Sequence, residues 1–299
     1  MIAMNIHDQS RWNKIKSWMI LSLFIILISG LGYIIGLIYG SPIPGFVLAI
    51  FGALLYSLIM YFQGDSIILA TTGAREVTKK EYPYLFHTIE GLAIAAGIPT
   101  PKAYVIDDTA LNAFATGRDP QHASVTVTTG LLNKLNRQEL EGVVAHEMSH
   151  IKNFDIRMMM LTAVFVGITI LLSDFLLRSF LWGNRDRNNN NQLAIIFIVV
   201  GIILAILAPL IAELIKLAVS RRREYGADAD GALLTRNPDG LASALEKIKN
   251  DPDPLVDKAN KATAHLFIST PFRKTKGFFT GLFSTHPDIN DRIKILRGM

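Results

Sequence analysis

Four long apolar runs restrict what this chain can become. Ser17–Tyr39 and Gly45–Phe62 carry no charge, Met158–Trp182 is interrupted only by Asp174 and Arg178, and Leu193–Ala212 is again uncharged. About 20 apolar residues suffice to cross a hydrocarbon layer of about 30 Å as a helix. Half of the 299 residues are hydrophobic and 18% are charged, a balance foreign to an ordinary soluble domain. The first run is longer than the apolar core of a cleavable signal and lacks a small-x-small cleavage site, so it reads as a membrane span. Gly40-Ser41-Pro42-Ile43-Pro44 leaves so short a connection to the second run that the pair must be a helical hairpin. Asp174, Arg178, Glu213 and Lys216 sit toward the ends of runs three and four, where snorkelling relieves their cost. The other reading of those two runs is a partly inserted or protein-buried hairpin.

The formal charge of +5 comes from clusters beside the runs, chiefly Arg11, Lys14, Lys16 and Arg221–Arg223. That placement matches the positive charge that flanks membrane helices on the cytoplasmic side, although Arg178, Arg185 and Arg187 pull the other way. It offers neither the basic face nor the motif of a nucleic-acid binder. With no cysteine, disulfides and thiolate metal ligands are excluded.

Between the runs the composition is that of a water-soluble domain. The expected order is a polar tail over 1–16, a membrane hairpin over 17–62, and a first domain segment over 63–157. A second helix pair over 158–219 with a polar Asn-rich loop at 183–191 follows, and then a second domain segment over 220–299. Helices are predicted at Glu81–Ala96, closed by Gly97 and Pro99, from Arg137 to about Phe154, at Glu224–Thr235, and at Leu241–Lys249 behind Asp239. Lys102–Ile106 reads as a short strand. Ser124–Thr129, β-branched and alternating, reads as a strand with one buried face. The small residues of Asn112–Gly117 suit close backbone approach. They form either an edge that pairs with an extended peptide or an ordinary part of the sheet.

Within the Arg137 helix stands His146-Glu147-Met148-Ser149-His150. Asn136 and Glu139 have the spacing of a capping box. Histidines four apart leave the same side of a helix one turn apart, which suits two ligands of a tetrahedral zinc ion. Glu147 can reach a water at an open position without itself binding metal. A catalytic site needs a third protein ligand, and no further histidine follows nearby. Glu224 and Asp228, four apart on a predicted helix, supply one carboxylate for the metal and one to orient a ligand histidine. The alternative for Glu224 is an ion pair with Arg221 or Arg222; Asp155 is either a second such support or a solvated helix end. Ligands on both sides of runs three and four must meet at one ion, so the chain crosses the bilayer an even number of times between them. The metal then sits near the membrane surface.

His146-Glu147-x-x-His150 with Asp155, and Ser220-Arg221-Arg222-Arg223-Glu224 with Asp228, resemble the HtpX family of membrane zinc metalloproteases, relatives of the zinc CAAX prenyl proteases. The resemblance extends through Asn112–Gly117, Ser124–Thr129, Ser284-Thr285-His286-Pro287 with Arg292, and the order of the apolar runs. It implies a mainly α membrane protein: transmembrane helices plus a cytosolic α+β zincin-like catalytic domain with a small sheet. It further implies one Zn2+ per chain and a multi-pass plasma-membrane endopeptidase whose active site faces the cytoplasm. Its partners would be the lipid bilayer and polypeptides, above all misfolded or surplus membrane proteins, in quality control. Asn112, Ala113, Phe114 and Arg292 would contact substrate, and His286 with Arg292 would stabilise the tetrahedral intermediate. The residues alone leave His286 open to a capping role before Pro287. Three other functions compete: prenyl-protein processing, which needs a large intramembrane chamber; an adaptor with a structural zinc, which has no use for Glu147; and a zinc carrier, which needs polar ligands along its spans.

Overall fold

The computed structural model describes residues 6–38, 40–168, 221–252, 266–268 and 287–299. Runs three beyond 168 and four, the Asn-rich loop and His286 lie outside those residues. The chain opens with two long helices, α1 (Ile6–Ile38) and α2 (Pro42–Thr72), joined through Gly40 at φ 70°. At 1.5 Å per residue each is over about 45 Å long and exceeds the hydrocarbon thickness. Their contact depends on missing side chains: a Cβ on Gly32 would lie 2.6 Å from the Gly45 carbonyl, and one on Gly45 2.9 Å from Gly36 Cα. Small residues at helical spacing let membrane helices approach this closely. Ile26, Leu48, Phe51 and Leu58 face outward, exposed, as lipid contact requires.

Hydropathy located this hairpin but not the helix ends. Helix α1 begins at Ile6 rather than Ser17, and α2 ends at Thr72 rather than Phe62. Charge does not stop a helix; Arg and Lys are good helix formers, so apolar content marks only the part suited to lipid. The polar overhangs of both helices pack on an α+β domain. Gly64, in the α2 overhang, makes room for Met160, and within the apolar part of α1 the Phe24 ring stacks on Phe165 at 4.3 Å.

The sheet of that domain has the order β1-β2-β4-β3. Strand β1 (Arg75–Glu76) is antiparallel to β2 (Lys102–Ile106), β2 is parallel to β4 (Ala123–Thr128), and β3 (Ala113–Gly117) closes the described sheet antiparallel to β4. Helix α3 (Pro83–Ala96) precedes β2 and starts at its proline, not at Glu81, because proline suits the first helical turn. Every residue of β4 is buried, contrary to the expected one-sided burial. At its end Thr128 finds partners inside the protein: its Oγ1 donates to the Ala110 carbonyl at 2.6 Å and accepts from Leu131 N–H at the start of α4 (Thr129–Lys134).

Helix α5 (Arg137–Lys152) is the central element. Its capping box forms in full, with Asn136 Oδ1 accepting from Glu139 N–H and Glu139 accepting from Asn136 N–H. Val143, Val144, Met148 and Ile151 are wholly buried against the surrounding elements. The helix does not continue to Phe154 as expected. It stops at Lys152, Phe154 takes φ 59°, and a new helix, α6, begins at 155 and continues through 168, the last residue described there. The opening of run three, from Met158 to Val166, is buried in protein.

Helices α7 (Arg221–Thr235), α8 (Pro238–Lys249) and α9 (Ile289–Arg297) complete the described fold. Helix α8 is capped by Asn237, whose side chain accepts from Gly240 N–H at 3.2 Å, and not begun at Asp239. Gly142 brings α5 against α8: a Cβ there would lie 2.5 Å from Leu241 N and 2.8 Å from Leu241 Cα. Backbone cannot yield as a flexible side chain would. Gly142→Ala should therefore lower stability by about 1–3 kcal/mol, despite alanine's better helix propensity. Chemical unfolding in detergent checks this, and an unchanged or raised stability would contradict the packing described.

Candidate metal centre and active site

Helix α5 presents His146, Glu147 and His150, all buried. Separated by one turn, the two imidazoles leave the same side, and their Nε2 atoms stand 3.2 Å apart. Helix α7 brings Glu224 to them, with Oε1 3.6 Å from His150 Nε2 and Oε2 3.9 Å from His146 Nε2. One ligand atom from each residue lies within 4.8 Å of the other two.

The remaining ring nitrogens are already committed. His146 Nδ1 donates to Asp228 Oδ1 at 2.9 Å, and His150 Nδ1 donates to Asp155 Oδ2 at 2.9 Å. With His150 deprotonated, both Nε2 atoms turn lone pairs toward each other and toward a carboxylate, in a buried space. Such a donor set is repulsive by itself and is relieved by a cation. Tetrahedral zinc with nitrogens at about 2.0–2.1 Å places its ligand atoms about 3.3 Å apart, close to the spacing present. His146, His150 and Glu224 therefore fit a divalent metal and leave a fourth position open.

The break after Lys152 is what makes Asp155 useful. On a continuous helix a residue five positions on lies about 140° around the axis from His150, facing elsewhere. The left-handed turn at Phe154 restarts the helix and returns the Asp155 carboxylate to the imidazole.

Strand β3 borders the same site. The Ala115 backbone favours the ionised Glu147 carboxylate, though burial outweighs it. Its neighbour Ala113 gives its carbonyl to Ile268 N–H at 2.9 Å, and Phe267 meets Phe114 edge-on with centroids 5.1 Å apart. Asn112, Ala113 and Phe114 thus line the flank of the active helix and are buried, with segment 266–268 laid along them.

The sequence comparisons agree with this site. The description "Peptidase family M48" matches residues 79–299, which include both ligand-bearing helices. The chain belongs to peptidase family M48. Among members of that family it is 49% identical over 294 residues to the "Protease HtpX homolog" of Dictyoglomus thermophilum, across 96% of this chain and 92% of that protein. It is 44% identical over 302 residues to the one from Caldanaerobacter subterraneus, across 100% of this chain and 99% of that protein. The crystal structure of S. mikatae Ste24p superposes with a TM-score of 0.49 at 21% identity, over 93% of this chain and 61% of that chain. This M48 peptidase is accordingly an HtpX-type metalloendopeptidase associated with membrane through its apolar helices.

The environment of the M48 site sorts the titrating groups. Burial raises the Glu147 carboxyl to about 7. Burial alone would lower both histidines. It prevails at His146, whereas the Asp155 hydrogen bond and the charge of Glu224 lift His150 to about 9.

Arg292, on α9, was expected at the substrate. It is found 1% exposed beneath the ligands, donating from Nε and Nη2 to Asp228 Oδ2 and Oδ1 at 2.8 and 2.7 Å. Its Nη1 lies 3.7 Å from Glu224 Oε2 and donates to the Ile268 carbonyl at 3.3 Å. Asn13 escaped sequence reasoning, and Arg223 entered it only within the basic cluster and the Ser220–Glu224 motif. Asn13 and Ser17, four apart at the polar end of an apolar helix, were the one available signal.

Burial would raise the Asp228 carboxyl, but Arg292 charge and the hydrogen bonds of Arg292 and His146 hold it at about 2. Its folded value lies below the unfolded value of ~3.9, so its stabilisation is complete above about pH 4 and is lost as pH falls toward 2. Arg292→Met strands a buried carboxylate and should cost about 3–5 kcal/mol at neutral pH. Without the guanidinium the folded-state Asp228 carboxyl rises, so its share of the acid-side loss should shrink or reverse. Unfolding measured across pH 2–7 tests both; a variant with the parental profile would contradict the clamp.

Proposed function

We propose that the chain is a zinc-dependent endopeptidase of the plasma membrane, multi-pass, with its active site in the cytoplasm, acting in quality control on misfolded or surplus membrane proteins. The observation that carries this reading is Glu147, buried beside the converged His146, His150 and Glu224. A structural zinc site has no need of such a carboxylate. Zinc, when bound, supplies Lewis-acid polarisation of the scissile carbonyl and acidifies water toward a pKa of ~7.

The chain's own residues do the rest. Glu147, buried beside the ligands, takes a proton from the attacking water and hands it to the departing amine. Asp228 and Asp155 hold the ligand imidazoles in the tautomer that leaves Nε2 free. Arg292 keeps Asp228 ionised and adds positive charge close to Glu224. His286 takes the role that the family resemblance implies, a donor to the developing oxyanion. Backbone groups of Asn112–Phe114 receive the extended substrate, and Ile268 must leave the Ala113 carbonyl for a peptide to pair there. Meeting of His150 and Glu224 implies that the intervening chain leaves and re-enters on one side, which favours an even number of crossings. The basic residues Arg11, Lys14, Lys16 and Arg221–Arg223 favour the cytoplasm as that side. Placement of the site beside α1 and α2 overhangs favours substrates presented at the membrane surface.

Glu147→Gln should retain one zinc per chain and lose peptide hydrolysis by at least about 100-fold, the scale of positioned general-base catalysis. His150→Ala should lose zinc and hydrolysis together. Metal analysis paired with a casein digestion assay, with chelator as control, reads both outcomes. Full proteolysis by Glu147→Gln would sink the mechanism.

A further inference from the structure

Helix α1 contributes one buried polar side chain to the region of the metal centre. Asn13 is 2% exposed. Its Nδ2 donates to Asp155 Oδ1 at 2.6 Å and to the Asn153 carbonyl at 2.9 Å, which uses both protons of the amide. The other Asp155 oxygen accepts from His150 Nδ1. Two consecutive hydrogen bonds therefore join the first membrane helix to a ligand imidazole. Arg223 Nη1 approaches the same Asp155 Oδ1 only to 3.5 Å, so the short bond is the one from Asn13.

We infer that Asn13 is a positioning residue for the metal site, fixing Asp155 so that His150 presents Nε2 to the ion. This rests on the reading of His150 as a metal ligand. Asn153 and Asp155 flank the left-handed residue at which α5 ends and α6 begins, so the Asn13 amide pins both sides of that break. An isolated Asp155 carboxylate could rotate; one tied through Oδ1 has its Oδ2 aimed. Loss of a carboxylate support behind a ligand histidine typically weakens metal binding 10–100-fold, and loss of its tether acts through the same bond. The position of α1, which the bilayer constrains, thereby enters the metal affinity of the enzyme.

The test uses the full-length chain in detergent, comparing the parent with Asn13→Ala, Asn13→Asp and Ser17→Ala. Ser17 lies one turn on, equally buried, and donates only to the Asn13 backbone carbonyl at 2.8 Å. Zinc dissociation constants come from chelator competition, and the visible absorption of the cobalt-substituted protein reports ligand geometry without any proteolysis. Both Asn13 variants should weaken zinc binding about 10–100-fold and alter the cobalt bands, while Ser17→Ala stays within about twofold of the parent. The aspartate variant matches asparagine in shape, so it separates the hydrogen bond from packing. Parental zinc affinity and cobalt bands in Asn13→Asp overturn the inference, as does an equal loss in Ser17→Ala or a failure of both Asn13 variants to fold. A parent that binds no zinc defeats the metal reading itself.

Discussion

Two imidazole nitrogens and a carboxylate can rest together in a buried space only with a proton or a metal ion held between them. The rest of the described fold serves to keep them there. The capping box anchors the start of α5, Gly142 lets α8 close on its outer side, and the break at Phe154 turns Asp155 back onto His150. Asp228 and Arg292 lock the other imidazole from α7 and α9. Chain segments that are remote in sequence thus carry one electrostatic obligation, and each is buried where water cannot relieve it.

The membrane hairpin is part of that arrangement rather than a tether attached to it. The polar ends of α1 and α2 extend past the apolar runs and pack on the α+β domain, with Asn13 reaching the support of a ligand and Gly64 accommodating Met160. A protease built this way holds its chemistry at a fixed distance from its apolar helices. That geometry limits which peptide bonds can reach Glu147. It also places strand β3, with Ile268 along its edge, between the membrane helices and the active helix.

Much of this was legible in the residues. The His146–His150 spacing, the capping box at Asn136 and Glu139, the hairpin through Gly40–Pro44 and the strand Lys102–Ile106 are local patterns, and local patterns survive folding. The Glu224–Asp228 spacing anticipated a ligand and a support on one helix face, and the structure brings both side chains to the histidines. What escaped was set by tertiary context. A left-handed phenylalanine carries no propensity signal, so α5 was read as reaching Phe154. Arg292 could be tied to the site by resemblance, as a substrate contact, but only packing puts it on Asp228. Asn13 looked like one more polar residue before a span.

The central claim is that His146, His150 and Glu224 bind one ion. X-ray absorption at the zinc edge of the purified chain addresses it directly. The account predicts one zinc per chain with a coordination shell of nitrogen and oxygen at about 2.0–2.2 Å, an imidazole signature of two histidines, and a changed shell in Glu224→Ala. A chain that holds no zinc, or a shell indifferent to Glu224→Ala, would contradict it.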